Sequence, residues 1–108
     1  MSAWLSLAIA IALEIVGTTL LKLSDGFEKP ILGMASIAAY SVCFWFFAGA
    51  IKSIPVGVGY AIWAGVGILA MAAIGIFFFG QKLGPAQYAF IALILVGAVG
   101  LRLTTTAE

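Results

Sequence analysis

One residue of this chain stands out for its chemistry. Glu14 is the only charged side chain well inside any of its long apolar stretches. It lies within Met1–Leu21, about halfway along a segment long enough to cross the ~30 Å hydrocarbon core of a bilayer. A carboxylate at that depth costs a few kcal/mol even on lenient insertion scales, so it normally faces a bundle interior or a wet cavity and has a task there. A second feature complements it. Tyr60, Trp63, Ala64 and Gly67 share one helical face, and Tyr40, Phe44 and Phe47 share another. Ring faces attract a cation with ~0.5–2 kcal/mol each, and a carboxylate supplies the counter-charge. Together these groups suit an apolar organic cation.

Other chemistries find no footing. The chain has no His, one Cys and no metal-ligand cluster. No Ser-His-Asp set, phosphate-binding loop or dinucleotide fingerprint is present, so no enzyme is expected. Gly57-Val58-Gly59 is too short for a fingerprint. Five scattered basic residues make no stripe for nucleic acid. Cys43 sits mid-run and reads as a small apolar packing residue.

The elements that must position Glu14 follow from composition. Charged residues make up 8% of 108 positions, against ~25% in a soluble domain, and the mean hydropathy is +1.26. A water-soluble fold this small could not hide so much apolar surface, so the solvent is lipid. Apart from Glu14, and Arg102 near the end of the last run, the charges fall outside four apolar runs, about 2–21, 31–51, 56–79 and 86–103, with Glu108 at the far end. Each run is long enough to span as a helix, and lipid leaves unpaired backbone groups no partner. The reading is an all-α integral membrane protein, one four-helix domain over residues 1–108. Run 1 lacks a basic leader and carries Glu14, so it reads as a retained helix rather than a signal peptide.

The loops hardly choose a side. Lys22, Lys29 and Lys82 would face one compartment, and Lys52, Arg102 and the amino terminus the other. Basic residues in short loops normally fix orientation. Two outcomes fit so even a division: insertion in both orientations, or a weak bias that suffices.

Around Glu14, positions three, four and seven apart are Leu7, Ala10, Ile11, Gly17, Thr18 and Leu21. Ala10, Gly17 and Thr18 are small and admit a neighbouring helix or a ligand. Trp4 and Tyr88 fit the interfacial aromatic belt. Tyr60 and Trp63 lie deeper, which favours a cavity role, while Tyr40 fits either. Gly65-Val66-Gly67 permits a bend in run 3 or close packing against it. Run 4 is small and knobbly at Ala89, Ala92, Gly97 and Gly100, which suits subunit contact. One protomer is too small to surround a drug-sized ligand, so a dimer-interface cavity is the economical arrangement.

These residues carry a resemblance along nearly the whole chain. Glu14-Ile-Val-Gly-Thr-Thr-Leu-Leu-Lys22, Ser24-Asp-Gly-Phe27, Phe44-Trp45, Ile54-Pro-Val-Gly-Val-Gly-Tyr-Ala-Ile-Trp-Ala-Gly-Val-Gly67, Phe78-Phe-Gly-Gln-Lys-Leu83 and Gly97 resemble the small multidrug resistance (SMR) family, in particular its quaternary-ammonium-exporting branch. The resemblance implies a four-helix protomer in an antiparallel, dual-topology homodimer of the bacterial inner membrane. It implies proton-coupled efflux of lipophilic cations, driven by the proton gradient without a cofactor. It implies that Glu14 binds proton and substrate in turn. By the same resemblance Tyr60, Trp63, Ala10, Gly17, Thr18, Tyr40 and Phe44 line or shape the site, Gly65 and Gly67 mark the flexible point, and Gly97 makes a dimer contact.

The chain departs from the family pattern at Ala64, where a hydroxyl residue is frequent, and at Phe90, where relatives carry a Gly paired with Gly97. A guanidinium-exporting branch favours a Trp near position 17 or 18. Gly17-Thr18 here leaves more room and favours bulkier cations. Two rivals from other classes also use a mid-membrane carboxyl. A proton-translocating rotor subunit usually has two helices rather than four. An accessory subunit would pair Glu14 with a partner's basic residue.

Overall fold

A computed structural model describes residues 2–105; Met1 and Glu108, which bound the sequence reading, lie outside them. Four helices follow in order: α1 Ala3–Leu23, α2 Pro30–Ala50, α3 Val56–Phe78 and α4 Pro85–Thr104. They match the four apolar runs to within two residues at each end. At 1.5 Å per residue each is ~30 Å long, the thickness of a hydrocarbon core. All four are apolar enough to cross a membrane.

The helix ends follow local chemistry. Ser2 caps α1, its Oγ accepting from the Leu5 N–H at 3.1 Å. Pro30 and Pro85 open α2 and α4 at first-turn positions, where a missing N–H costs nothing. Gln87 reaches back so that its Oε1 accepts from the Gly84 N–H at 2.7 Å. After α1 the chain turns through three consecutive left-handed residues: Asp25 at φ 53, Gly26 at φ 67 and Phe27 at φ 68. The fully buried Ser24 pins this turn. Its Oγ donates to the Leu21 carbonyl at 2.7 Å and accepts from the Phe27 N–H at 3.1 Å.

Packing runs in a chain of neighbours, α2 on α1, α1 on α3, and α3 on α4. A small core of Leu7, Ile11, Ala50, Ile54, Ile62 and Ala98 joins all four helices near the end that carries the amino terminus. Two cation–π contacts fix the ends. Arg102 lies 4.3 Å over the Trp4 ring, and Lys22 lies 5.9 Å over the Phe79 ring. The start of α1 therefore meets the end of α4, and α1 and α3 finish on the same side, as an up-down-up-down path requires.

The protomer is thin. Its extents are 42 × 35 × 17 Å, and the short one is less than two helix diameters of 10–12 Å. Most large apolar side chains consequently stay exposed, among them Ile31, Trp45, Phe77, Phe78 and Leu103. Lipid or another protein surface must cover them.

Candidate functional site

Glu14 projects from α1 toward α3 because Gly67 makes room for it. A Cβ built on Gly67 would stand 2.6 Å from Glu14 Oε1, inside van der Waals contact. The other carboxylate oxygen is held on its own helix. Thr18 Oγ1 donates to Glu14 Oε2 at 2.7 Å and lies 2.5 Å from the Tyr40 hydroxyl on α2. Thr18 has a single hydroxyl proton, and Glu14 receives it. The Tyr40 O–H therefore donates to Thr18. Both donors of this chain point toward the carboxylate.

Tyr40 reaches that position across a close α1–α2 contact. Its ring lies 3.4 Å from where a Gly17 Cβ would be. One turn away, the buried Ser36 Oγ donates to the Gly17 carbonyl at 2.8 Å. Gly17 thus serves the site from beneath, by letting Tyr40 lie against α1. Ala10 is fully buried in the same helix packing.

The aromatics gather around Trp63. Its ring centroid lies 4.7 Å from Phe47, 5.7 Å from Tyr60 and 6.1 Å from Phe44, and Phe44 stacks on Tyr40 at 6.4 Å. The Trp63 Nε1–H is buried and has no hydrogen-bond partner. In front of these rings opens a cavity of about 360 Å³, lined by Glu14, Tyr40, Tyr60, Trp63, Ala64, Gly67, Ile68 and Met71. Glu14 supplies the only charge on this wall.

Of the residues singled out in the sequence, Glu14, Tyr40, Tyr60, Trp63 and Gly67 meet on the cavity wall. Phe44 stands behind as ring support, and Ala10 and Gly17 as backbone spacers. Thr18 touches Glu14 but borders a separate cleft with Leu21, Lys22, Asp25 and Gly26. Gly65 faces α4, where a Cβ would come within 3.0 Å of Ala98 Cβ. α3 runs unbroken through Gly65 and Gly67. Gly97 is exposed on α4 with nothing near its Cα direction. Cys43 is fully buried and unpaired, a packing residue as its setting suggests.

Ile68 and Met71 were not singled out in the sequence. They extend the Tyr60-Ala64 and Trp63-Gly67 rows by one further turn, so the same four-residue spacing carried forward would have reached them.

Along nearly its whole length the chain is similar to known proteins. The family model described as Small Multidrug Resistance protein matches residues 2–94. The quaternary ammonium compound-resistance protein QacE of Escherichia coli is 41% identical over 108 residues, covering 100% of this chain and 98% of its own. QacF of Klebsiella aerogenes, of the same description, is 42% identical over 95% of this chain and 94% of its own. The spermidine export protein MdtI of Salmonella arizonae is 44% identical over 94% of this chain and 91% of its own.

Proposed function

The chain belongs to the Small Multidrug Resistance family of transporters and is a multi-pass protein of the bacterial inner membrane; on that premise we propose that it exports lipophilic, quaternary-ammonium-type cations in exchange for protons, with Glu14 binding the two in turn. The observation that carries this is the cavity wall, one carboxylate among Tyr40, Tyr60 and Trp63 with apolar Ile68 and Met71 beside them. Such a wall matches a single positive charge spread over a greasy body. Family membership leaves no reason to keep the rotor or accessory-subunit readings.

The exchange follows from the carboxyl. Either a proton or the cation neutralises Glu14, and its one negative charge cannot serve both. Drug-sized cations need more wall than one 17 Å slab offers. A second copy inserted in the opposite sense would close the cavity and bring a second Glu14 to it. The even division of basic residues between loops and the uncovered Gly97 side of α4 support that partner. Within it we assign Gly65-Val66-Gly67 as the segment that flexes when the site turns from one side to the other.

Spermidine-exporting relatives supply a second reading. A polyamine carries several ammonium groups and needs several acceptors, whereas this wall has one carboxylate. Isothermal titration with tetraphenylphosphonium, spermidine and guanidinium at several pH values decides. Tetraphenylphosphonium is expected to bind best, and more tightly as pH rises and protons cease to compete. Preference for spermidine or guanidinium would overturn the substrate class. Within the same titration Trp63→Leu keeps an apolar, though smaller, side chain and removes a ring face. It should weaken tetraphenylphosphonium by ~0.5–2 kcal/mol, roughly 2- to 30-fold, and leave the pH dependence in place.

A further inference from the structure

One opening reaches Glu14 itself and another reaches its hydrogen-bond partner Thr18. The cavity faces its Oε1 side with Gly67 and the aromatic rings. A cleft of about 490 Å³ approaches from the 24–29 turn and ends at Thr18, with Leu21, Lys22, Asp25 and Gly26 as its other walls. Thr18 is the residue that joins the two, since its hydroxyl donates to Glu14 Oε2 and its side chain lines the cleft. Two charged side chains, Lys22 and Asp25, line the cleft, and hydration of such groups favours a wet mouth. Lys22, whose ammonium lies over Phe79, and Asp25 give that wall one charge of each sign.

Resting on the antiport reading above, we propose that protons reach and leave Glu14 through this cleft, relayed by the Thr18 hydroxyl, while the organic cation uses the aromatic cavity. The step balances with water alone. A hydronium ion in the cleft gives its proton to the free lone pair of Thr18 Oγ1. The proton already on Thr18 moves to Glu14 Oε2, leaving water, a hydroxyl and a neutral carboxyl. Release runs the same hops backwards. Tyr40 positions the relay, because its O–H occupies one Thr18 lone pair and so directs the Thr18 proton at the carboxylate. Tyr40 also lines the cavity, so a cation arriving there presses on the group that orients the relay. Cys43 on α2 is fully buried and has no place in the path. In an oppositely inserted pair, one such cleft would open to each side of the membrane.

The test separates rate from affinity in the full chain. Thr18→Val keeps the shape and removes the hydroxyl. Proton-driven uptake of a cationic dye into proteoliposomes should slow by about tenfold or more, since a positioned proton carrier contributes at least that much. Tetraphenylphosphonium Kd at alkaline pH should weaken by less than the rate falls, since only one hydrogen bond to the carboxylate is lost. Thr18→Ser should restore the rate. Leu21→Phe narrows the cleft without touching a hydrogen bond, and should likewise slow uptake more than it weakens binding. Wild-type uptake by Thr18→Val overturns the relay, as does a loss of rate matched by loss of affinity, which would make Thr18 a cavity wall. If Thr18→Val does not assemble, wild-type uptake by Leu21→Phe overturns it. Glu14→Gln in the same vesicles keeps the two readings apart. Its retention of proton-driven uptake would sink antiport itself, whereas a dead Glu14→Gln beside a normal Thr18→Val would sink only the relay.

Discussion

Glu14→Gln is expected to abolish proton-dependent uptake of a cationic dye into inverted vesicles, in a protein that still folds. Glutamine has the shape of glutamate. Its amide oxygen can still accept from Thr18 Oγ1, now 2.7 Å from the carboxylate, and its end still fits the space left by Gly67. What disappears is the charge and the exchangeable proton. In a part-buried apolar cavity, losing the counter-charge of a bound cation costs on the order of 3 kcal/mol, ~100-fold in affinity. Binding that survives becomes independent of pH. Glu14→Asp separates charge from reach. It retains binding, and its competition with protons moves to lower pH, because an ordinary aspartate releases its proton ~0.4 units below a glutamate. Titration of each variant with tetraphenylphosphonium across a pH series reads both outcomes. Persistent proton-driven uptake by Glu14→Gln would end the antiport mechanism.

Gly67→Ala is the second large effect, and it acts on function more than on stability. The new methyl would stand 2.6 Å from Glu14 Oε1. The obstructed atom is the end of a flexible side chain, so the carboxylate swings aside and the helices stay where they are. It then leaves either the cavity wall or its bond to Thr18. A displacement near 1 Å at a reacting group can cost ~100-fold, and a fall of tenfold or more in dye uptake is expected with normal assembly. Gly65→Ala should behave oppositely. Its methyl would meet Ala98 Cβ at 3.0 Å on α4, so it should lower thermal stability in detergent before it touches cation affinity. If the two variants gave the same pattern, Gly67 would be a helix-packing residue like Gly65 and its spacing role toward Glu14 would fall.

Much of this was legible in the chain because lipid leaves few choices. Four long apolar runs can only become helices, and their ends fall where Ser2, Pro30, Pro55 and Pro85 punctuate the sequence. Glu14 was conspicuous because no other charged residue stands well inside an apolar run. Tyr60 and Trp63 were legible from their shared face. Helical spacing names a face but not what stands opposite it. It placed Gly17, Thr18 and Ala10 together beside Glu14, and the structure sends them to three tasks: a seat for Tyr40, a partner for the carboxylate, and buried packing. Those tasks depend on how α2 and α3 are set against α1, which no local pattern contains. The pairing of Gly67 with Glu14 is of the same kind, a contact between residues 53 positions apart, as the sequence numbers show.

The 17 Å thickness of the protomer has a consequence for the cell that carries it. A lone copy holds half of an enclosure, so under the paired arrangement efflux depends on encounters within the plane of the membrane. At low copy number, before most protomers are paired, total export should rise with nearly the square of the amount of protein present, and only later in proportion to it. A modest increase in expression would then be felt as a disproportionate gain in tolerance to toxic cations, and a chain that inserts but lacks a functional site would poison its neighbours by occupying their partners.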